Sequence, residues 1–177
     1  MSLFLEEYNN AKNSISDINE HIETLYNLAL ECEHVTEMGT RHGTSTRAFL
    51  HANPKKLIAY DTYTDQGVLS LFSTARENGR DQQFINANVR EIEIEETDLL
   101  FIDTWHAGEQ IRIELEKHGN KARKYLAFHD VITYGFEGEG NPEGILIPIM
   151  EFINNNRHWK IKEFRTNNNG LLVLQKA

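Results

Sequence analysis

The chain has 177 residues, 40% hydrophobic and 25% charged, enough for one globular domain with a single sizeable core and too few for two of ordinary size. Its 27 acidic residues against 18 Lys and Arg give a formal net charge of -9, and basic residues gather into no long run, which argues against nucleic acid or an anionic membrane as a main partner. The opening MSLFLEEYNN has no positive n-region, no apolar run approaches the roughly 20 residues that span a bilayer, and the lone Cys32 allows neither an internal disulfide nor a Cys-based zinc cluster, so a soluble cytoplasmic protein is expected.

In chain order, residues 3–32 contain no Gly or Pro, and Leu3, Leu5, Ile15, Ile18, Ile22, Leu25 and Leu28 recur mostly at intervals of three or four. This predicts one or two helices, an N-terminal segment (1–32) packed on the domain proper (33–177). An exposed apolar stripe expected on that segment points to a homodimer. Short apolar runs then alternate with helical patterns: HVTEMG, a helix over 45–52, KLIAYDTY, a helix over 66–76, QQFINAN, DLLFIDT, a helix over 108–117, KYLAFHDV, and a helix over 145–155. Such alternation predicts βαβ units in a mostly parallel sheet covered on both faces. The ending WKIKEFRTNNNGLLVLQK has only the turn-prone NNNG between two strands and reads as a β-hairpin.

Three stretches carry chemistry. In VTEMGTRHGTST, Glu37 and Gly39 are followed by Gly43 and Ser45 at the start of a helix. Glycines permit a tight turn close to a ligand, and a helix N-terminus offers free N–H groups. Asp61 ends the next strand 22 residues after Gly39, near the ~20-residue spacing at which an acid reaches ribose hydroxyls. Asn88, after the third strand, suits either an adenine edge or a turn. In LLFIDTWHAGEQ an apolar strand stops at Asp103, His106 follows three residues later, and Glu109 lies one helical turn beyond, placed to orient the imidazole or to favour the helix N-terminus. In KYLAFHDV the strand ends at His129-Asp130.

Asp103 and Asp130 end strands expected to be neighbours, so their carboxylates meet in one crevice. Two buried like charges there need a proton or a cation, unless each merely caps a helix. Carboxylate oxygens suit Mg²⁺, and ligation by His129 would shift the preference toward Mn²⁺ or Zn²⁺, with a supporting role behind the ligands as the other reading of His129. A neutral His106 at this strand end can take a proton near pH 7. His21, His34, His42, His51, His118 and His158 show no comparable context, and Trp105 and Tyr134 read as core or as the floor of a substrate site. The Gly-rich loop YGFEGEGNPEG (134–144) follows the fifth strand, but no strand leads directly into its Gly-x-Gly, which weakens a phosphate-cradle reading.

The motif EMGTRHGTS, Asp61 and the final hairpin resemble the class I S-adenosylmethionine-dependent methyltransferases. FIDTWHAGEQ and AFHDV are most similar to the branch holding metal-dependent O-methyltransferases of sugar hydroxyls and cephalosporin hydroxylase-like proteins, over about residues 33–176. The resemblance implies a Rossmann-like α/β domain with a seven-stranded sheet, and S-adenosylmethionine as cofactor. It also implies that Glu37 supports the glycine loop, Asp61 holds the ribose, Asp103 and Asp130 ligate a divalent cation (Mg²⁺ or Mn²⁺), and His106 is the general base. Close relatives often carry a carboxylate where this chain has His129, and larger ones fold a cap over the sugar that this chain largely lacks.

The expected function is therefore methyl transfer from S-adenosylmethionine to a hydroxyl of a small molecule or sugar. The alternatives are a cofactor-binding module without transferase activity, which would need neither His106 nor a metal, and a nicotinamide-dependent oxidoreductase, disfavoured by the absence of G-x-G-x-x-G. Nucleic-acid base methylation is disfavoured by the acidic surface and the lack of an Asn/Asp-Pro-Pro-aromatic segment.

Overall fold

Thr97–Ile102 is buried at every position, and so is His34–Met38. Strands without a polar face belong in the middle of a sheet with helices on both sides. The computed structural model, which describes residues 3–177, places them there. The strands are β1 (His34–Met38), β2 (Lys56–Asp61), β3 (Asp81–Asn86), β4 (Thr97–Ile102), β5 (Ala122–His129), β6 (Trp159–Arg165) and β7 (Leu171–Lys176), and their order across the sheet is β3-β2-β1-β4-β5-β7-β6. The pairs β3-β2, β2-β1, β1-β4 and β4-β5 are parallel; β7 runs antiparallel to both β5 and β6, so the predicted hairpin is present.

The helices are α1 (Leu5–Asn13), α2 (Ile22–Leu30), α3 (Thr44–Ala52), α4 (Gln66–Glu77), α5 (Gly108–His118) and α6 (Leu146–Asn155). Successive strand residues point to opposite faces. Leu99 and Phe101 join the core under α1 to α4, whereas Leu100 and Ile102 join the core under α5 and α6. The helix ends differ from the sequence expectation by a residue, as fraying ends do. The N-terminal stretch is divided in two, with a short 3₁₀ turn at Asn19–His21 leading into α2.

One expectation fails here. The apolar residues of the N-terminal helices are not an exposed stripe: Tyr8, Ala11, Ile22, Leu25, Leu28 and Ala29 are buried in the first core, largely against α3. Burial of apolar surface within the chain is worth about 25 cal/mol per Å²; among the described residues of the N-terminal segment, Leu3, Ile15 and Leu30 are the large apolar ones that stay exposed. Among the described residues, no helix is long and apolar enough to cross a membrane.

The chain reverses direction across the sheet between β1 and β4. In open α/β sheets ligands bind outside the carboxyl ends of the strands at such a point. Gly39 directly follows β1 and Asp103 directly follows β4.

Candidate active site

A cleft of about 510 Å³ opens at this switch point. Its first wall is the glycine turn. Gly39 has φ +88°, and a Cβ there would stand 1.9 Å from the Asp103 carbonyl oxygen, so only glycine lets the exits of β1 and β4 lie against each other. The next two residues are tied to β2: the N–H groups of Thr40 and Arg41 each donate to Asp61 Oδ2 at 2.8 Å, and Tyr63 N–H donates to Oδ1 at 2.8 Å. Asp61 is thus rigidly held on the cleft wall. Beneath it Glu37 is fully buried and accepts from the hydroxyls of Ser45 (2.6 Å) and Thr46 (2.7 Å). Burial pushes its carboxyl up to about 8 despite those two hydrogen bonds. Glu37 therefore fastens the first turn of α3 to β1. Ser45 lines the cleft, while Gly43, at the N-cap of α3 with φ +76°, is not among the lining residues. Asn88 also lines it, but its side chain serves a turn, accepting from Arg90 N–H and donating to Glu91, each at 3.0 Å.

The opposite end of the cleft gathers four side chains. His106 Nε2 lies 2.9 Å from Asp130 Oδ2 and 3.4 Å from Asp103 Oδ1, and His129 Nδ1 lies 3.1 Å and 3.4 Å from the same two oxygens. The helix-cap reading of Asp103 is not realised: α5 is N-capped by Ala107 without a side-chain hydrogen bond. Burial opposes charge on both imidazoles, yet their hydrogen bonds to Asp103 and Asp130 carry each up to about 10. Burial likewise works against the Asp130 carboxylate, and His106 and His129 overcome it, holding it well below the usual carboxylate range. Asp103 is lowered by the same contacts against the same opposition. The pair of acids thus demands positive charge, which protons supply when no cation is there.

These residues fit a divalent cation. Asp103, His129 and Asp130 each offer one ligand atom, all within 4.8 Å of one another. Asp130 Oδ1 is buried and, among the described residues, has no hydrogen-bond partner. His129 Nε2 faces the Asn168 carbonyl at 3.2 Å, so that nitrogen keeps its proton, and Nδ1, aimed at the two acids, is the atom that would ligate a cation between them. Two hard oxygens with one imidazole favour Mn²⁺ or Zn²⁺ over Mg²⁺.

Several neighbours escaped the sequence. The carboxylate that reaches His106 is Glu139, 3.2 Å from Nδ1; Glu109, expected in that role, is exposed on α5. The Gly-rich loop delivers Glu139, whose N–H donates to the His106 carbonyl (2.9 Å) and whose carbonyl accepts from Trp105 Nε1 (3.0 Å). Tyr134, one of the two aromatics read from the sequence as core or as a floor of the site, stacks on His106. Glu114, a fully buried residue of α5, accepts from Thr104 and Gln110, both at 2.7 Å, and burial pushes it up to about 7. Ser16, Asp17 and Ile18 also line the cleft, held to the glycine turn by an Asp17–Arg41 ion pair of 2.9 Å. A buried Glu on a helix was the one signal available for Glu114; the others depend on contacts distant in sequence.

No protein-family model matches the sequence, and no curated protein does. Solved structures do. An O-methyltransferase from Bacillus cereus in complex with S-adenosylhomocysteine aligns with a TM-score of 0.69 at 14% identity, over 98% of this chain and 90% of that one. A methyltransferase from Podospora anserina bound to the same molecule aligns at 0.62 and 12%, over 98% and 87%. An N-methyltransferase from Bradyrhizobium japonicum, also in complex with it, aligns at 0.62 and 12%, over 98% and 97%. Likeness at such identity speaks to architecture, and the architecture of this chain is the class I S-adenosylmethionine-dependent methyltransferase fold.

Proposed function

We propose that the protein transfers a methyl group from S-adenosylmethionine to a hydroxyl oxygen of a small molecule or sugar, with a divalent cation at Asp103, His129 and Asp130. The observation that carries this reading is the single cleft, bounded at one end by the glycine turn and Asp61 and at the other by Asp103, His106 and Asp130. When bound, the cofactor supplies an electrophilic methyl carbon and the cation makes a neighbouring hydroxyl more acidic.

The chain's own residues do the rest. The glycine turn and Asp61 hold the donor, the carboxylate accepting a ribose hydroxyl at Oδ1, where Tyr63 N–H is its one partner, while Oδ2 is taken by Thr40 N–H, Thr40 Oγ1 and Arg41 N–H. Glu139 accepts at His106 Nδ1, which leaves Nε2 as the atom facing the acceptor; the two aspartates, which raise this imidazole to about 10, keep a proton on it, so in place of the neutral imidazole expected from the sequence Nε2 acts as a base only where the charge of the acids is met otherwise. Tyr134 and the loop 134–144 hold the imidazole in place, so that donor and acceptor meet in line. The test is calorimetric titration with S-adenosylhomocysteine, followed by transfer of labelled methyl from S-adenosylmethionine to a panel of polyhydroxylated acceptors with Mg²⁺ or Mn²⁺. Absence of cofactor binding removes the reading; binding with transfer to amines alone moves it to N-methylation.

A further inference from the structure

The turn between β6 and β7 lies behind the acid pair and serves it at two points. The Asn168 carbonyl accepts from His129 Nε2 at 3.2 Å. The Asn169 carbonyl accepts from the N–H groups of Ile132 (2.9 Å) and Thr133 (3.2 Å). The chain on both sides of Asp130, itself at φ +60°, is therefore held by this one turn. The turn has little freedom: Asn168 (φ +46°), Asn169 (φ +68°) and Gly170 (φ +94°) are all left-handed, and a Cβ on Gly170 would stand 2.8 Å from Ile132 N.

The turn is fixed from its other side by the segment that lines the cleft. Asn168 Nδ2 donates to the Ser16 carbonyl at 2.8 Å, and its Oδ1 accepts from Glu20 N–H at 3.0 Å. His21, fully buried, places Nε2 3.0 Å from the Asn167 carbonyl and 3.2 Å from that of Asn168. Neither carbonyl can donate, so the ring proton of His21 is on Nε2. The same reasoning applies to His129, and there it has a chemical consequence. With Nε2–H held by the Asn168 carbonyl, Nδ1 is the nitrogen aimed at Asp103 and Asp130; it donates to them while no cation is there, and it is the one whose lone pair a cation between the acids would use.

We propose that Asn168 is a positioning residue for the cation site, its main-chain carbonyl setting the tautomer and ring orientation that make His129 a ligand through Nδ1. The inference rests on the reading of Asp103, His129 and Asp130 as a cation site. It extends that site to a turn 39 residues away in sequence, and through Asn168 to the N-terminal segment.

Mn²⁺ binding to the full-length protein, read from the paramagnetic resonance of free Mn²⁺, tests it with two substitutions. Asn168→Gly keeps a residue at ease with positive φ but loses the side-chain bonds to Ser16 and Glu20, and should bind more weakly than the parent yet more tightly than Asn168→Val, whose branched Cβ disfavours that conformation and which should bind roughly 10–100-fold more weakly than the parent. Nitrogen-resolved spectra of the Mg²⁺-loaded parent give a reading that depends on no variant: the His129 ring proton should be on Nε2 and protected from exchange. Asn168→Val binding as tightly as the parent, or a His129 proton on Nδ1 in the loaded protein, overturns the inference alone. A parent that takes up neither ion overturns the cation reading and this inference with it.

Discussion

The imidazole of His106 lies flat on the ring of Tyr134, centroids 4.7 Å apart and planes 4° from parallel. Its edge nitrogens are held by Glu139 on one side and by the two aspartates on the other, so the ring has one orientation. Replacing His106 with Ala should leave cofactor affinity nearly unchanged and slow single-turnover transfer by roughly 10²–10⁴-fold. Glu139→Gln, which keeps an acceptor near Nδ1 without the charge, should slow it by a smaller factor. An undiminished rate in His106→Ala removes the histidine from proton transfer.

Asp61 has two duties, and they can be separated. Its carboxylate accepts from Thr40, Arg41 and Tyr63 N–H groups and faces the cleft. Asp61→Ala should weaken S-adenosylhomocysteine by about 1.5–3 kcal/mol, some ten- to a hundredfold, and should also lower thermal stability, because three backbone N–H groups lose their acceptor. Calorimetric titration of the folded variant checks the first effect; equal affinity to the parent means that the ribose is held elsewhere.

Asp103 and Asp130 each supply an oxygen to the cluster with His129. Replacing either with Asn should cost more Mn²⁺ affinity than the roughly 10–100-fold typical of losing a partner behind a ligand. Bound Mg²⁺ should raise the melting temperature of the parent in proportion to the logarithm of its concentration and leave Asp130→Asn unmoved. The pair of melting curves, with and without chelator, decides it.

Glu37 predicts the direction of a pH effect. Its carboxyl is pushed up to about 8 in the folded protein from an ordinary value of 4.5. Below pH 4.5 both folded and unfolded chains hold the proton. Between there and about 8 the unfolded chain releases it while the fold retains it, so this group lowers stability as pH rises, with a slope of up to about 1.4 kcal/mol per pH unit. Glu37→Gln abolishes that contribution. Urea unfolding between pH 5 and 8 should show a flatter stability profile for the variant than for the parent; parallel profiles would mean that Glu37 is ionised in the fold.

What the sequence determined by itself was local. Continuous apolar runs such as DLLFID required a sheet buried on both faces, and NNNG between two strands required a hairpin. Asp103 and His106 were legible as a pair because three residues at a strand end keep two side chains together. The tertiary structure decided whatever depends on distant segments. It put Glu139 on His106 across 33 residues where Glu109, three residues away, had been the natural choice, because the loop 134–144 folds back over the cleft while α5 turns Glu109 outward. It buried the apolar side of the N-terminal helices within the domain, since helical periodicity marks an apolar face without saying what covers it. It also set Asn168 behind His129: only the pairing of β7 with β5 brings the hairpin turn to the carboxyl end of β5, where the two strands meet at His129 and Leu171.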